Sequence, residues 1–189
     1  MSDAAAMAAG FLAGARNLEA LARQAAEVLA AAEAIVGRMR AGGKVMFCGN
    51  GGSAADAQHL AAELQGRYLR ERRALAALAL TTDSSAVTAI GNDYGFADIF
   101  ARQLAGLAGG GDVLVAISTS GESENVLRAA ACARKLGLLL VGLTGRAGGR
   151  LAPLCDHAIR VPADETPRIQ ELHIAVGHAI CGHIETALG

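Results

Sequence analysis

Short apolar runs alternate along the chain with stretches of helical spacing. Val45 to Cys48, bounded by Gly43 and Gly49, reads as a buried strand, and the runs Leu75 to Leu80, Asp112 to Ser118, Leu138 to Leu143 and His157 to Val161 repeat the pattern. Between them helices are expected from Ser53 onward, within TTDSSAVTAIGNDYGF, from Phe96 to Ala108, from about Ser123 to Leu136, near Leu151, and from Thr166-Pro167, read as an N-cap followed by proline at the first helical position, to about Leu188. Ahead of the first strand, Leu18, Leu21, Ala22, Ala25, Val28, Leu29, Ala32 and Ile35 recur at helical spacing. Residues 4 to 41 therefore read as two helices or one broken helix, stopped by Gly42-Gly43. Strands that are apolar throughout and alternate with helices imply a parallel sheet covered on both faces. The expected fold is α/β, a three-layer sandwich of about five parallel strands preceded by N-terminal helices. In such sheets ligands gather beyond the carboxyl ends of the strands, and here those ends carry GNGGS, a polar turn at Gly91, Asn92 and Asp93, STSGES and LTG.

Composition narrows the picture. A length of 189 residues suits one domain, 1–189, with 1–42 as a helical segment. Seventeen Lys+Arg stand against 18 Asp+Glu, with no basic stripe, so no nucleic-acid partner is expected. Hydrophobic residues reach 52% with no Trp and only 3% aromatics, so the core must be built from Ala, Leu, Val and Ile, and the surplus apolar surface points to burial between subunits. Cys48, Cys132, Cys155 and Cys181 show no CxxC pairing and read as reduced core residues. Asp3 stands where a signal peptide would carry positive charge, and no apolar span is long enough to cross a membrane; a cytoplasmic location is expected.

Candidate chemistry centres on KVMFCGNGGSAADAQHLAAEL, Lys44 to Leu64. A strand ending in glycines and opening into a helix offers backbone N–H groups to a ligand without obstruction by Cβ atoms, with Ser53 expected as the N-cap. One turn on, His59 and Glu63 stand four apart on one helical face. Ser118 to Ser123 combines hydroxyls, a glycine and a helix start, which suits the oxygens of a phosphate monoester; without lysine it is not a nucleotide P-loop, and the plain alternative is serines that cap a helix. In the last helix Gln170, Ile174 and His178 share one broad side, but Gln170 and His178 are separated by about 12 Å of rise. Both reach one ion only if the helix start deviates or a neighbouring subunit contributes a ligand. His157, His173 and His183 are assigned to packing or solvent.

KVMFCGNGGSAADAQHLAAELQGRY, TTDSSAVTAIGNDYGF, DVLVAISTSGES and RIQELHIAVGH, in that order and over Gly43 to Glu185, resemble the phosphoheptose isomerases of the sugar isomerase (SIS) superfamily. The resemblance implies an SIS, flavodoxin-like fold, a homotetramer with sites at subunit contacts, and isomerisation of sedoheptulose 7-phosphate at the start of ADP- or GDP-heptose synthesis for lipopolysaccharide or surface glycans. It places one zinc ion per subunit on His59, Glu63, Gln170 and His178. It places substrate on Asn50, Gly51, Gly52, Glu63, Asn92, Asp93, Ser118, Thr119, Ser120, Ser123 and Gln170, with phosphate in the serine loop. Ketose–aldose interconversion through an enediol needs an acid/base pair, and Glu63 and His178 are the expected pair. Glu122 stands where relatives often carry a neutral residue, and is expected to point away from the phosphate; Pro167 stands where some carry Asp. The alternatives are an isomerase of another phosphosugar, or a noncatalytic SIS protein that binds a replication-initiator partner.

Overall fold

The computed structural model describes residues 3–189; residues 1 and 2, which begin the expected 1–42 segment, lie outside the described residues. In chain order the elements are α1 (Asp3–Leu21), α2 (Ala25–Arg40), β1 (Val45–Cys48), α3 (Gly52–Gln65), β2 (Ala77–Ala79), α4 (Ser84–Tyr94), α5 (Ile99–Leu107), β3 (Val113–Ser118), α6 (Glu124–Lys135), β4 (Leu139–Thr144), β5 (His157–Arg160) and α7 (Thr166–Leu188). The five strands form one parallel sheet in the order β2-β1-β3-β4-β5, as the alternation of apolar runs and helices requires.

Alternation along each strand splits its side chains between two cores. Val45, Phe47, Val113, Val115, Ile117, Val141 and Leu143 face α2, α3 and α7. Met46, Cys48, Leu114, Ala116 and Leu140 face α5 and α6. The small residues of the helices allow this close packing: Ala31, Ala129, Ala130 and Ala133 are fully buried. All four cysteines are free, and burial pushes the Cys48, Cys155 and Cys181 thiols up to about 12.

Three local expectations need correction. Gly91, Asn92 and Asp93 do not form a turn but lie within α4, because the Asp83 carboxylate caps that helix by accepting from the Ala86 N–H at 2.9 Å and the helix runs on to Gly95, whose φ of 92° ends it. Ser53 is not the N-cap of α3. Gly51, at φ 56°, takes that place, and Ser53 is buried inside the first turn. Thr166 likewise begins α7 rather than capping it; Glu165 occupies the cap.

The expected break in the N-terminal helix is a 3-10 turn at Ala22–Gln24. Helix α1 buries none of its residues and exposes Met7, Phe11, Leu12 and Leu18. Beside it, an apolar groove of about 370 Å³ runs between α1, α2 and α7, past Leu21, Val28, Leu29, Val176 and His183. No helix among the described residues is long and apolar enough to cross a membrane.

Candidate active site

Helices α3 and α7 lie side by side in the same direction, and their close approach depends on Gly177: a Cβ there would meet Leu60 at 2.5 Å. That contact brings the next residue, His178, against the face of α3 that carries His59 and Glu63. His59 Nε2 lies 2.9 Å from His178 Nε2 and 3.3 Å from Glu63 Oε1, and one donor atom of each residue falls within 4.8 Å of the others. The His59 ring is half exposed, so the cluster opens outward.

A strap holds the far side of this cluster. The Tyr68 ring stacks on His178, centroid to centroid 5.5 Å with 30° between planes, in space left by Gly182, where a Cβ would lie 3.3 Å from the tyrosine. The segment that carries Tyr68 is fastened by Glu185. This carboxylate is 3% exposed and accepts from the backbone N–H groups of Tyr68, Leu69 and Arg70 at 2.8 to 2.9 Å. Arg72 Nε sits 3.2 Å from Glu185 Oε1 without the angle of a hydrogen bond, while its terminal nitrogens donate to the carbonyls of Glu63, Leu64, Gly66 and Arg73. Burial would raise the Glu185 carboxyl, but the three N–H donors and Arg72 together hold it below its ordinary value.

Two turns back along the same helix pair lie the loops. The Gln170 amide packs on Gly52, where a Cβ would collide with it, and Ile169 packs on Gly145 beside the Thr119 carbonyl. The first turn of α7 thus rests against both the glycine loop and the serine loop. Ser118 Oγ is 3.1 Å from Ser123 Oγ and accepts from the Gly121 N–H; Ser120 Oγ accepts from the Glu122 N–H. Glu122 is drawn outward by Arg150, which binds it through Nε at 2.7 Å and through its backbone N–H at 2.8 Å, and these bonds lower its carboxyl. Asn50 and Asn125 exchange amide hydrogen bonds between the loops.

The SIS domain family matches residues 11–145. Phosphoheptose isomerase of Rhodospirillum rubrum is 61% identical over 158 residues, 84% of this chain and 84% of its own length. The chain is a phosphoheptose isomerase family member. Two solved phosphoheptose isomerases share its fold: that of Francisella tularensis at a TM-score of 0.94 and 38% identity, covering 98% of this chain and all of the other, and GmhA of Neisseria gonorrhoeae at 0.90 and 45%, covering 95% and 97%.

Set against the family's expected site, the structure gathers three of the four anticipated metal donors, His59, Glu63 and His178. Gln170 stands apart, at Gly52, about 10 Å away along α3 by helical rise. Two imidazole nitrogens and a carboxylate oxygen facing one another are a suitable donor set for a zinc-like ion, and the His59 side of the set is half exposed. Asn92 and Asp93 are exposed in the last turn of α4 and bond to each other at 2.8 Å, with no hydrogen bond to either loop among the described residues. Arg67 is exposed and lies 3.9 Å from Glu71. Asn125, Tyr68, Arg72 and Glu185 escaped the reading of the sequence. Glu185 alone left a signal there, a carboxylate on the apolar face of the last helix, downstream of the cation-rich GRYLRERR.

Proposed function

We propose that the chain converts sedoheptulose 7-phosphate to D-glycero-D-manno-heptose 7-phosphate, the entry to ADP- or GDP-linked heptose, as a cytoplasmic homotetramer with one zinc ion per subunit. The observation that carries this reading is the convergence of His59, Glu63 and His178 two turns from the loops, along helices shared by both. That separation, about 10 Å, is close to the span of an extended seven-carbon monophosphate.

In this reading the serine loop and the N-terminus of α6 hold the phosphate. The Glu63 carboxylate removes a proton from C1 of the ketose and returns it to C2, and His178 moves a proton between the two oxygens of the enediol. Tyr68 keeps the His178 ring in plane for that exchange. His59, Glu63 and His178 would hold the zinc ion, with Gln170 supplied by a neighbouring copy. When bound, such an ion stabilises negative charge on the substrate oxygens. The exposed side chains of Met7, Phe11, Leu12 and Leu18 on α1 and the groove beside it favour assembly with further copies.

Turnover by the purified protein tests the reading on a panel of pentulose, hexulose and heptulose phosphates, with metal content measured alongside. Preferential turnover of the heptulose is expected. A protein that binds none of the panel, or prefers a shorter sugar, would overturn it in favour of the noncatalytic or the other-phosphosugar alternative.

A further inference from the structure

The STSGES loop carries a liability for a site that takes an anion. Glu122 stands two residues ahead of α6, and Glu124 is the first residue of that helix. Free N–H groups at a helix N-terminus attract any anion, so a loose carboxylate in the loop would compete with a phosphate for them and repel it as well.

A second loop, GRAGGRL at residues 145–151 after β4, runs along the back of the first. The Gly145 and Leu151 N–H groups donate to the Thr119 and Gly121 carbonyls, both at 3.0 Å, and the two backbones touch: a Cβ on Gly149 would lie 2.5 Å from the Ser120 carbonyl. Two carbonyls of the serine loop are thereby engaged from behind. The same second loop supplies Arg150, whose Nε and backbone N–H donate to the two oxygens of Glu122 at 2.7 and 2.8 Å, while a terminal nitrogen donates to Glu124 Oε2 at 3.3 Å. Glu124 has a further cation, Arg128, at 3.4 Å; Glu122 has no other among the described residues.

We infer that Arg150 is a positioning residue for substrate binding: it latches Glu122 onto the loop behind the phosphate cradle, so that this carboxylate neither competes for the N–H groups of the serine loop nor repels the phosphate. The inference rests on the isomerase reading above, which puts the phosphate in that loop, and adds the device that lets a loop with a carboxylate accept an anion. The balance of energies places the role in binding rather than in stability. The Arg150 and Glu122 side chains are 62% and 49% exposed, and an ion pair so open to water adds little to folding. A carboxylate set free a few ångströms from a phosphate dianion, by contrast, costs several-fold in affinity.

Rescue separates this role from direct contact with the ligand. Arg150→Ala, which keeps the backbone N–H bond and the brace between the loops, is compared with Glu122→Gln, the double variant and the wild type, all zinc-loaded. Each is measured for kcat and KM on sedoheptulose 7-phosphate and for the Kd of inorganic phosphate by calorimetry, at low and at high salt. Arg150→Ala should raise both KM and Kd by about fivefold at low salt, with kcat and melting temperature near wild type, and the loss should shrink as salt screens the freed carboxylate. The double variant should regain wild-type affinity, because a glutamine brings no charge to the loop, and Glu122→Gln alone should bind at least as tightly as the wild type. A double variant as weak as Arg150→Ala would show that the guanidinium itself meets the phosphate and would overturn the inference. Unchanged KM and Kd in Arg150→Ala would do the same. A wild type that turns over no heptulose phosphate would remove the isomerase reading, a separate outcome, and the phosphate titrations would still decide the role of Arg150.

Discussion

The two ends of the α3–α7 pair are built on different principles. At the loop end, polar side chains already satisfy one another: Asn50 with Asn125, Ser118 with Ser123 and Gly121, Glu122 with Arg150. At the other end, two imidazole nitrogens and a carboxylate oxygen face each other in a half-open cluster, backed by a strap rather than by a loop of their own. A preorganised cradle suits a group that is held unchanged through the reaction. A cluster of basic atoms with spare donor capacity suits the place where protons move.

The sharpest way to separate the two ends is Glu63→Gln, which keeps an oxygen for a cation but removes the base. Turnover should fall by about 10²- to 10⁴-fold, while bound zinc and the affinity for inorganic phosphate stay near wild type. Near-normal turnover in the folded variant would move the chemistry elsewhere. Dialysis against a chelator is the next step down. Most of the activity should disappear and return on addition of zinc, with phosphate binding unaffected; activity that survives complete metal removal would leave the three-residue cluster as acid and base alone.

The strap is tested by Glu185→Gln, which leaves the buried Arg72 without its counter-charge and weakens the grip on three backbone N–H groups. A drop in melting temperature on the order of 10 °C is expected. In the folded fraction kcat should fall more than KM rises, since the strap orders Tyr68 against His178 and touches neither loop. A variant as stable and active as the wild type would show that the strap is dispensable.

The fold was legible because fully apolar strands announce a two-sided parallel sheet, and five such runs stand out here between glycines and helical stretches. The errors fell where one residue type serves two purposes. Gly91, Asn92 and Asp93 looked like a polar turn, but Asp83 caps a helix that continues to Gly95; Ser53 looked like a cap, but Gly51 reaches a conformation that serine avoids. At the site, His59 and Glu63 were visible as a pair because helical spacing alone places them on one face. The meeting of His59 with His178 was not, since it depends on Leu60 packing against Gly177 across 117 residues of chain, counted from 60 to 177. The supporting amides and the strap were invisible for the same reason: Asn125 and Glu185 resemble ordinary helix residues until their partners are placed.

Behind the first turn of α7 lies a group that ties stability to pH. His173 is fully buried, and neither ring nitrogen makes a hydrogen bond of good geometry, although the ring lies against the Thr144 backbone. Burial pushes its pKa from 6.5 down to about 4. The sign follows from which state takes the proton first. Below about pH 6.5 the unfolded chain binds a proton that the folded chain refuses, so stability is whole above that value and declines as pH falls toward about 4. Between about pH 6.5 and 5 the loss should come to about 1.5 kcal/mol, since the slope of about 1.4 kcal/mol for each unit is reached only once the unfolded imidazole is mostly protonated. Glu185, whose carboxyl is held below 4.5, adds its own loss only at lower pH, so the two windows separate. Denaturant titrations of the wild type and His173→Phe across that interval provide the measurement, and the variant should show a flatter dependence by that amount. Equal slopes would mean that His173 takes up its proton in the folded state, and that the packing behind the loop end is looser than the closed cradle in front of it.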